Sequence, residues 1–263
     1  MTTPRLYRQV LLTAAGPLLL ILLWEAVARF GAFERSLLPS PGAVAAALGE
    51  LWADGSLLTS IAVSLLRFAA GYLSAAGAGI GLGLVLGRLP VAWGLVNPVA
   101  QLLRPVSPIA WFPLIVLFFG IGNLPAVVII FIASFFPVLL STVAAVRATD
   151  PLLLKVARNF GIRQPRLTSA VIFPAAFPAI AVSLHIALGS AWVFLVAGEM
   201  VGAQSGLGFL IIDGRNNLRT DVVLAGIAVI GVLGLLLDRL ITVFERWVGR
   251  RWGDHATGGG AHD

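Results

Sequence analysis

Long apolar blocks separated by short polar connectors dominate this chain of 263 residues. An apolar block of about 20 residues is long enough to cross a bilayer as an α-helix. The pattern predicts six such spans, at about 10–30, 64–87, 95–119, 124–146, 170–198 and 222–244. The expected fold class is therefore an all-α integral membrane protein with six transmembrane helices.

The polar connector between the fourth and fifth blocks has a helical pattern of its own. Asp150 is a good N-cap, Pro151 suits the first helical position, and Gly161 suits a left-handed stop. Between them, the helical period separates an apolar face from a polar face: Leu152, Leu153, Val156, Ala157 and Phe160 against Lys155, Arg158 and Asn159. A capped amphipathic helix is not needed merely to cross back, so the pattern predicts a docking element for a partner outside the membrane.

Composition supports the membrane assignment and excludes several other classes. Hydrophobic residues make up 59% of the chain and charged residues only 11%, whereas a soluble domain has about a quarter charged. The net charge of +6 does not indicate nucleic-acid binding, because the arginines stand at the edges of apolar blocks and no aromatic-basic face is present. The absence of cysteine excludes disulfides, thiolate metal sites and cysteine nucleophiles.

The distribution of basic residues predicts the orientation. Six spans place both termini on one side, and 13 of the 18 basic residues then fall on that side, together with the connector at 147–170. The positive-inside rule makes this side the cytoplasm. A cleaved signal peptide is the alternative for the N-terminus, but the apolar run continues past Glu25 to Phe30, which suits an uncleaved span.

The sequence divides into an N-terminal tail with the first span (1–35), a transmembrane domain (36–250) and a C-terminal tail (251–263). The segment 42–53 is modestly amphipathic and is expected to lie on the outer surface. The tail is rich in glycine and is expected to be disordered.

Two groups of residues are candidates for the translocation pathway. The segment 104–113 has three prolines and cannot form a regular helix, so Ser107, Pro108 and Trp111 are expected to line a pathway or a hinge. A kinked packing helix is the alternative. The second group is polar or aromatic and lies in the fifth span: His185, Trp192 and Glu199. The alternative is that these residues form ordinary hydrogen bonds between helices. Glu199 has a further alternative, a position in the interfacial zone of the membrane, where its charge has a small free-energy cost.

The glycines of the second span predict close helix packing rather than a phosphate-binding loop. They form the pairs Gly77/Gly81, Gly79/Gly83 and Gly83/Gly87, which let helices approach each other closely. Lys155 is the only lysine and no glycine-rich loop precedes it, so a Walker A site is absent. No carboxylate pair, zinc-protease motif or serine–histidine–acid arrangement is evident, so no catalytic or metal site is expected. The chain therefore has no means of its own to hydrolyse ATP.

Several motifs resemble those of ABC-importer permeases. In the connector, Lys155-Val156-Ala157, Gly161 and Val171-Ile172-Phe173-Pro174 keep the spacing of the EAA loop of that family, with lysine in place of the usual glutamate. Across about 36–250, further motifs are similar to the nitrate/sulfonate/taurine/bicarbonate branch, among them Ser64-Leu65-Leu66-Arg67, Phe119-Gly120-Ile121-Gly122, Ala197-Gly198-Glu199-Met200 and Gly206-Leu207-Gly208-Phe209.

The resemblance implies a type I importer permease with a MetI-like fold in the bacterial cytoplasmic (inner) membrane. It implies a coupling helix that contacts the ATPase through Leu152, Leu153, Lys155, Val156, Ala157, Arg158, Phe160 and Gly161. The implied partners are a second permease subunit, expected to form a homodimer, two cytoplasmic ATPase subunits that bind ATP and Mg, and a periplasmic or lipid-anchored solute-binding protein. This chain itself would bind no cofactor.

The substrate implied by the resemblance is a small anion such as nitrate, bicarbonate, a sulfonate or taurine. A secondary transporter or channel is the alternative. Such proteins usually have ionisable residues deep in their spans, which are scarce here.

Overall fold

The structure is a computed structural model that describes residues 3–31 and 37–252, with side chains for 15–31 and 37–248. All regular elements in this described part are helical. The α-helices are α1 Thr3–Phe30, α2 Pro41–Ala53, α3 Ser56–Leu86, α4 Pro90–Leu103, α5 Phe112–Phe119, α6 Asn123–Arg147, α7 Pro151–Asn159, α8 Phe173–Gly202, α9 Leu207–Asn216 and α10 Thr220–Trp252. A 3-10 turn, Pro108–Trp111, precedes α5, and a π-helical turn, Thr168–Ile172, leads directly into α8.

Glycines bring α3 and α6 into close contact along most of their length. Three glycines of α3 and Gly87, the residue that follows it, face residues of α6 in the same order along both helices: Gly71 faces Ile130, Gly79 faces Val138, Gly83 faces Thr142 and Gly87 faces Val146. The two helices therefore run in the same direction. The predicted close packing is confirmed at Gly79, Gly83 and Gly87. It is wrong for Gly77 and Gly81, where a Cβ would meet nothing within 4 Å.

The predicted third span, 95–119, is not one helix. Helix α4 and the segment Pro108–Phe119 meet at 90°, with the break at 104–107. Pro105 and Pro108 cause it, because proline has no backbone N–H to donate and its ring clashes with the preceding turn. Since α3 and α6 are parallel, the connection between them must carry the chain back across the bundle, and this bent pair does so.

The described residues contain four helices long and apolar enough to cross a membrane, or up to five if the bent pair is one span. The four are Ser56–Leu86, Asn123–Arg147, Thr168–Gly202 and Thr220–Val248. The predicted first span corresponds to α1, whose side chains are described only from residue 15. The count of six therefore stays a prediction. The disordered tail predicted at 251–263 is wrong for 251–252, which are the last two residues of α10, and 253–263 lie outside the described residues.

Helix α8 runs antiparallel to α3 and α6 and forms the centre of the bundle. The hydroxyl of Tyr72 on α3 donates to the carbonyl of Leu184 at 2.8 Å, and the indole of Trp192 donates to the carbonyl of Ile230 on α10 at 3.2 Å. Ile180 of α8 is fully buried, together with Ile130 of α6. Helix α10 covers the other side of α8, so α8 contacts all three long neighbours.

The short helices α2 and α9 lie at the end of the bundle where α3, α6 and α10 begin. They share a small core with the starts of α3 and α10, formed by Val44, Ala47, Leu57, Leu207, Leu210, Val222 and Ala225. Arg219 also joins these elements, because its guanidinium bonds Asp221 at 2.7 Å and Glu50 of α2 at 2.8 Å. Its hydrogen bonds to Asp221 and then Glu50 raise the pKa of Arg219. The predicted segment 42–53 is thus a helix, and its place on the outer surface stays a prediction.

The two kinds of glycine in α3 give a matched test of this packing. A Cβ at Gly83 would lie 2.6 Å from Cγ2 of Thr142, so Gly83→Ala should destabilise the bundle by about 1–3 kcal/mol through overpacking. Gly81→Ala meets open space and should be neutral or slightly stabilising, because alanine favours the helix. Thermal unfolding in detergent measures both variants, and equal midpoints would contradict the proposed contact.

Candidate functional site

The connector after α6 contains the predicted capped helix. The Asp150 carboxylate accepts from the backbone N–H of Leu152 at 2.7 Å, at the start of α7. At the other end Gly161 has a φ of +77°, and its N–H donates to the carbonyl of Arg158 at 2.9 Å, while Ile162 donates to Ala157 at 3.0 Å. This pair of bonds is a Schellman motif, in which a left-handed residue ends the helix. The predicted start and end of the helix are confirmed.

One side of α7 is an exposed apolar ridge. Leu152 is 64% exposed and Phe160 is 81% exposed, with Val156 between them at 41%. These three positions follow one another at intervals of four residues, so they form a continuous line along the helix. Leu153 is also exposed, and Lys155 and Arg158 are exposed on the polar side. An exposed apolar ridge of this kind is typical of surfaces that contact another protein or a membrane.

The opposite side of α7 rests on the bundle. Ala157, which the sequence pattern assigns to the exposed apolar face, is only 6% exposed and belongs to the main hydrophobic core. Leu154 and Ile162 pack against the same core. Positions 154 and 157 are three residues apart, so they lie on the same side of the helix. That side is the one that packs against the bundle. Ala157 therefore fixes α7 to the bundle and does not face a partner.

A buried ion pair lies at the other end of the bundle. Nη1 of Arg67 on α3 is 2.6 Å from Oε1 of Glu199 on α8. Their side chains are 4% and 0% exposed. Charges this deeply buried persist only when they are paired and their hydrogen-bonding capacity is met.

The surrounding groups use all five N–H donors of Arg67. Nη1 also donates to the carbonyl of Ser205 at 2.7 Å, and Nη2 donates to the Ser205 hydroxyl at 2.7 Å. Nη2 and Nε both donate to Oδ1 of Asn123, at 2.5 and 3.0 Å. A guanidinium has five donors, so Arg67 has none left for another ligand.

Glu199 is held by the hydroxyl of Ser64 and by backbone. Oγ of Ser64 lies 2.8 Å from both carboxylate oxygens and accepts from the N–H of Leu207 at 2.8 Å. The N–H of Gly208 donates to Oε2 of Glu199 at 2.9 Å. These residues are here called the Arg67–Glu199 cluster: Ser64, Arg67, Asn123, Glu199, Ser205 and the amides of Leu207 and Gly208.

Two glycines allow the chain to pass this close to the carboxylate. Gly206 has a φ of +102°, and a Cβ there would lie 2.6 Å from the carboxyl carbon of Glu199. A Cβ at Gly208 would lie 2.6 Å from Cβ of Glu199. The turn into α9 therefore needs glycine at both positions, which gives a physical reason for the Gly-Leu-Gly motif.

Sequence reasoning did not find this cluster. It gave Glu199 as a pathway candidate, with an interfacial position as an alternative, and it named Arg67 as part of a motif. Both side chains are buried and paired with each other. A signal was present, because an ionisable residue within a span normally pairs with another, and each of these two spans has few. The identity of the partner depends on tertiary contacts between positions 132 residues apart.

The six pathway candidates do not come together in one place within the subunit. Ser107 is exposed, and Pro108 and Trp111 are half-buried at the bend before α5. His185 faces α10, where Nε2 lies 2.7 Å from Oδ1 of Asp238, and Trp192 is buried on the same side of α8. Glu199 faces α3 in the cluster described above. A role of these residues in lining the pathway stays a prediction. Among the residues whose placement is described, no group of three His, Asp or Glu side chains is arranged to hold a metal.

The ion pair gives a stability prediction. Glu199→Ala leaves the Arg67 guanidinium buried without its counter-charge, which should cost about 3–5 kcal/mol and lower the unfolding midpoint in detergent sharply. The double variant R67M/E199M removes both charges and should recover most of that loss.

The matched control is Glu50→Ala, since Glu50 pairs with Arg219 at a site where its side chain is 63% exposed. Loss of such an exposed pair should cost about 1 kcal/mol or less. Equal midpoints for the Glu199 and Glu50 variants would show that the buried pair is not required.

Comparison with curated proteins gives relatives along most of the chain. The taurine transport system permease protein TauC of Escherichia coli (strain K12) is 35% identical over 246 residues, 92% of this chain and 90% of that protein. A putative aliphatic sulfonates transport permease protein, SsuC of Bacillus subtilis (strain 168), is 34% identical over 88% of this chain and 83% of its own length. The nitrate import permease protein NrtB of Leptolyngbya laminosa is 36% identical over 72% of this chain and 67% of its own.

A solved structure of the MetNI methionine ABC transporter in an inward-facing conformation has a similar fold. Its TM-score is 0.58 at 17% identity, with 75% of this chain and 96% of that chain covered. The expected MetI-like fold is thus confirmed. The relatives named above are permeases of transport systems, so a secondary transporter or channel is not favoured. The family described as the binding-protein-dependent transport system inner membrane component matches residues 79–250. This chain belongs to that family and is a transmembrane permease subunit of an ABC importer.

Proposed function

We propose that two copies of this permease form the pathway for a small anion, and that α7 of each copy transmits the movement of an ATPase subunit. An importer of this family works with a separate ATPase and a solute-binding protein, and ATP with Mg belongs to the ATPase. The observation that carries the proposal is the exposed ridge of Leu152, Val156 and Phe160 on a helix capped at both ends.

The position of α7 suits the transmission of force. The ridge is exposed on the surface of the subunit, while Ala157 belongs to the hydrophobic core that also contains Val146 of α6 and Ile180 of α8. A partner that grips the ridge would move α7 as a unit, because the N-cap and the Schellman motif keep its ends formed. That movement would reach both α6 and α8 through close-packed side chains, which transmit strain well. Of the other predicted coupling residues, Leu153, Lys155 and Arg158 are exposed and Ala157 is buried, and Gly161 sets the angle at which the chain leaves the helix.

Charge supports a cytoplasmic position of α7 and of both termini. The end of the bundle near α7 has an excess of basic residues: Arg88, Arg147, Lys155, Arg158, Arg163 and Arg166. The opposite end has acidic residues beside its arginines: Glu50, Asp54, Asp213 and Asp221 with Arg215 and Arg219. The positive-inside rule then assigns the α7 end to the cytoplasm of a bacterial inner membrane. The opposite end, with α2 and α9, would face the periplasmic or lipid-anchored solute-binding protein.

The proposed domain division follows from this arrangement. Residues 36–250 would form the permease domain, with 147–170 as its coupling loop, and 1–35 would add the first span.

The names of the relatives support the substrate class. They refer to taurine, aliphatic sulfonates and nitrate, each of which has a compact anionic group with several oxygens. Bicarbonate is a further candidate of similar size. The reconstituted importer, with its ATPase and binding protein, should take up at least one of these four in an ATP-dependent manner. Uptake of none of them, in vesicles where ATP is hydrolysed, would contradict the substrate proposal.

A matched pair of leucines tests the docking ridge. Leu152→Ala should weaken binding of the ATPase subunit, because Leu152 supplies exposed apolar area at the end of the ridge. Leu240→Ala removes the same side chain from α10 at an almost identical exposure, 65%, and should have no effect. The measurement is the amount of ATPase that co-purifies with the permease, together with ATP-driven uptake. Equal co-purification with both variants would show that α7 is not the contact.

The left-handed residue after α7 gives a second test. Gly161→Ala places a Cβ at a φ of +77°, which should cost about 1–2 kcal/mol in backbone conformational energy. No neighbouring atom lies within 4 Å of that Cβ, so the substitution causes no clash. Uptake should therefore fall while the subunit still inserts. Gly161→Asn should retain most of the uptake, because asparagine tolerates the left-handed region. Uptake at the wild-type level in the alanine variant, with normal amounts of subunit, would contradict the role of this angle.

A further inference from the structure

Two adjoining cavities form a hollow at the α7 end of the bundle, where α3 and α6 end and α8 begins. They have volumes of about 490 and 360 Å³, and Arg88, Arg158 and Leu167 line both of them. A third cavity, of about 540 Å³, is a groove between α3 and the start of α8. Thr168 lines this groove and accepts a hydrogen bond from Nη1 of Arg88 at 2.6 Å. The hollow and the groove therefore adjoin each other at this bond.

The hollow is lined by arginines that have no acidic partner. Its two cavities together contain Arg88, Arg147, Arg158 and Arg163, all of them exposed. None of the four forms an ion pair with a residue that the structure describes. Between Asp54 and Glu199 the chain has a single acidic residue, Asp150, and its carboxylate caps α7. A concave surface lined by one sign of charge attracts the opposite charge, so the hollow favours an anion.

Two of these guanidinium groups are held in position by uncharged neighbours. Thr168, which accepts from Arg88, in turn donates to Oε1 of Gln164 at 2.8 Å. The guanidinium carbon of Arg147 lies 6.0 Å from the centre of the Trp93 ring, a distance at which a cation and an aromatic ring attract each other. Because these contacts already restrict the side chains, less conformational entropy is lost when an anion binds. The planar fork of arginine also fits two oxygens of a phosphate at once.

The groove has an open, apolar lining. Ile80 and Leu84 of α3 and Phe173 of α8 line it, together with Gly77 and Gly81. A Cβ at either glycine would meet nothing within 4 Å, so helix packing within the subunit does not account for these glycines. Their missing side chains instead leave the backbone of α3 open along the groove. Because α3 is long and apolar enough to cross the membrane, this surface lies in hydrocarbon, where an acyl chain fits.

The dimensions match one leaflet of a bilayer. From Gly77 to Arg88 the chain advances about 16 Å, at about 1.5 Å per helical residue. Half of the hydrocarbon core of a bilayer is about 15 Å thick. Arg88 follows the end of α3 and Arg147 is the last residue of α6, so both lie where spans leave the hydrocarbon. One surface thus offers arginines at the level of the headgroups and an apolar groove that reaches the middle of the membrane.

We propose that the hollow and the groove together bind one anionic phospholipid. Its phosphate lies among Arg88, Arg158 and Arg163, and one acyl chain lies in the groove against Gly77 and Gly81. Basic pockets between membrane spans bind anionic headgroups in this way. The bound headgroup connects the end of α3 with the last turn of α7. Such binding does not depend on which substrate the importer transports.

A matched pair of arginines tests the headgroup site. Native mass spectrometry of the full-length permease, with dioleoylphosphatidylglycerol added in detergent, measures the apparent Kd of the lipid. Arg163→Gln should weaken binding about fivefold, because each arginine near an anionic headgroup contributes roughly that factor. Arg166→Gln removes the same charge from the same connector, but Arg166 lines neither cavity of the hollow, so the Kd should stay within about twofold. Equal Kd values for the two variants would overturn the proposal.

A pair of glycines tests the groove. Gly81→Leu puts a side chain into the groove and should weaken binding about tenfold, because the acyl chain loses apolar contact. The helix itself should tolerate leucine, which favours a helix more than glycine does. Gly94→Leu is the control, since a Cβ there also meets nothing within 4 Å and Gly94 does not line the groove. Thermal unfolding shows whether both variants are folded, and a folded Gly81→Leu variant with unchanged Kd would overturn the proposal. If leucine prevents folding, the arginine pair still decides.

Other ligands distinguish the lipid from competing occupants. Dioleoylphosphatidylcholine has the same chains but no net charge, and it should bind at least about tenfold more weakly. A large excess of inorganic phosphate should leave the lipid bound, because phosphate has no chain to occupy the groove. The lipid should also stay bound when the ATPase subunits are added. Equal affinity for the zwitterionic lipid, displacement by phosphate or displacement by the ATPase would each overturn the proposal, and the last would assign the hollow to the ATPase.

Discussion

The burial of Arg67 beside Glu199 is the constraint on which the arrangement of the helices depends. A guanidinium without water must find a partner for each of its donors, and no single neighbouring helix can supply five acceptors. Here the acceptors come from the start of α6, the end of α8 and the turn before α9. The requirement fixes the angle and depth at which these elements meet, and it explains why the turn at 206–208 contains glycine at the two positions of closest approach.

The two ends of the bundle are stabilised by different kinds of interaction. At the cluster, charged hydrogen bonds with narrow geometry hold backbone and side chains together. At the α7 end, apolar contacts and helix caps dominate, and the contact of α7 with the core is made by Ala157, Leu154 and Ile162. Apolar contacts tolerate sliding better than charged hydrogen bonds do, because they are not directional. The α7 end is therefore the more compliant of the two, and the end with the cluster is the more rigid.

The parallel packing of α3 and α6 has a consequence for the segment between them. The chain must return across the bundle between Gly87 and Asn123, and it does so through two helical pieces at a right angle. Backbone groups freed at such a break need protein or water around them at membrane depth. In the isolated subunit several side chains near the break are exposed, including Leu117 and Phe118. This face is therefore incomplete without lipid or a second subunit.

The sequence by itself determined much of the secondary structure and the family. Apolar blocks of sufficient length identify α3, α6, α8 and α10, because hydropathy and helical period are local properties. The same holds for α7, whose ends are determined by Asp150, Pro151 and Gly161 within a few residues. Sequence also indicated irregular backbone near Pro105 and Pro108, although not the right angle between the two pieces.

Only the tertiary structure decided which residues meet. The ion pair joins positions 132 residues apart, so neither its existence nor the burial of Glu199 follows from local pattern. Local pattern also does not show which glycines of α3 make contacts. Gly79 and Gly83 contact α6, whereas Gly77 and Gly81 face open space on the same helix. In α7, Ala157 is buried while Leu152 and Phe160 are exposed. The side of an amphipathic helix that packs against the bundle depends on the surface that the helix meets. Period and capping are encoded along the chain, whereas the facing partner of each side chain depends on how distant helices pack.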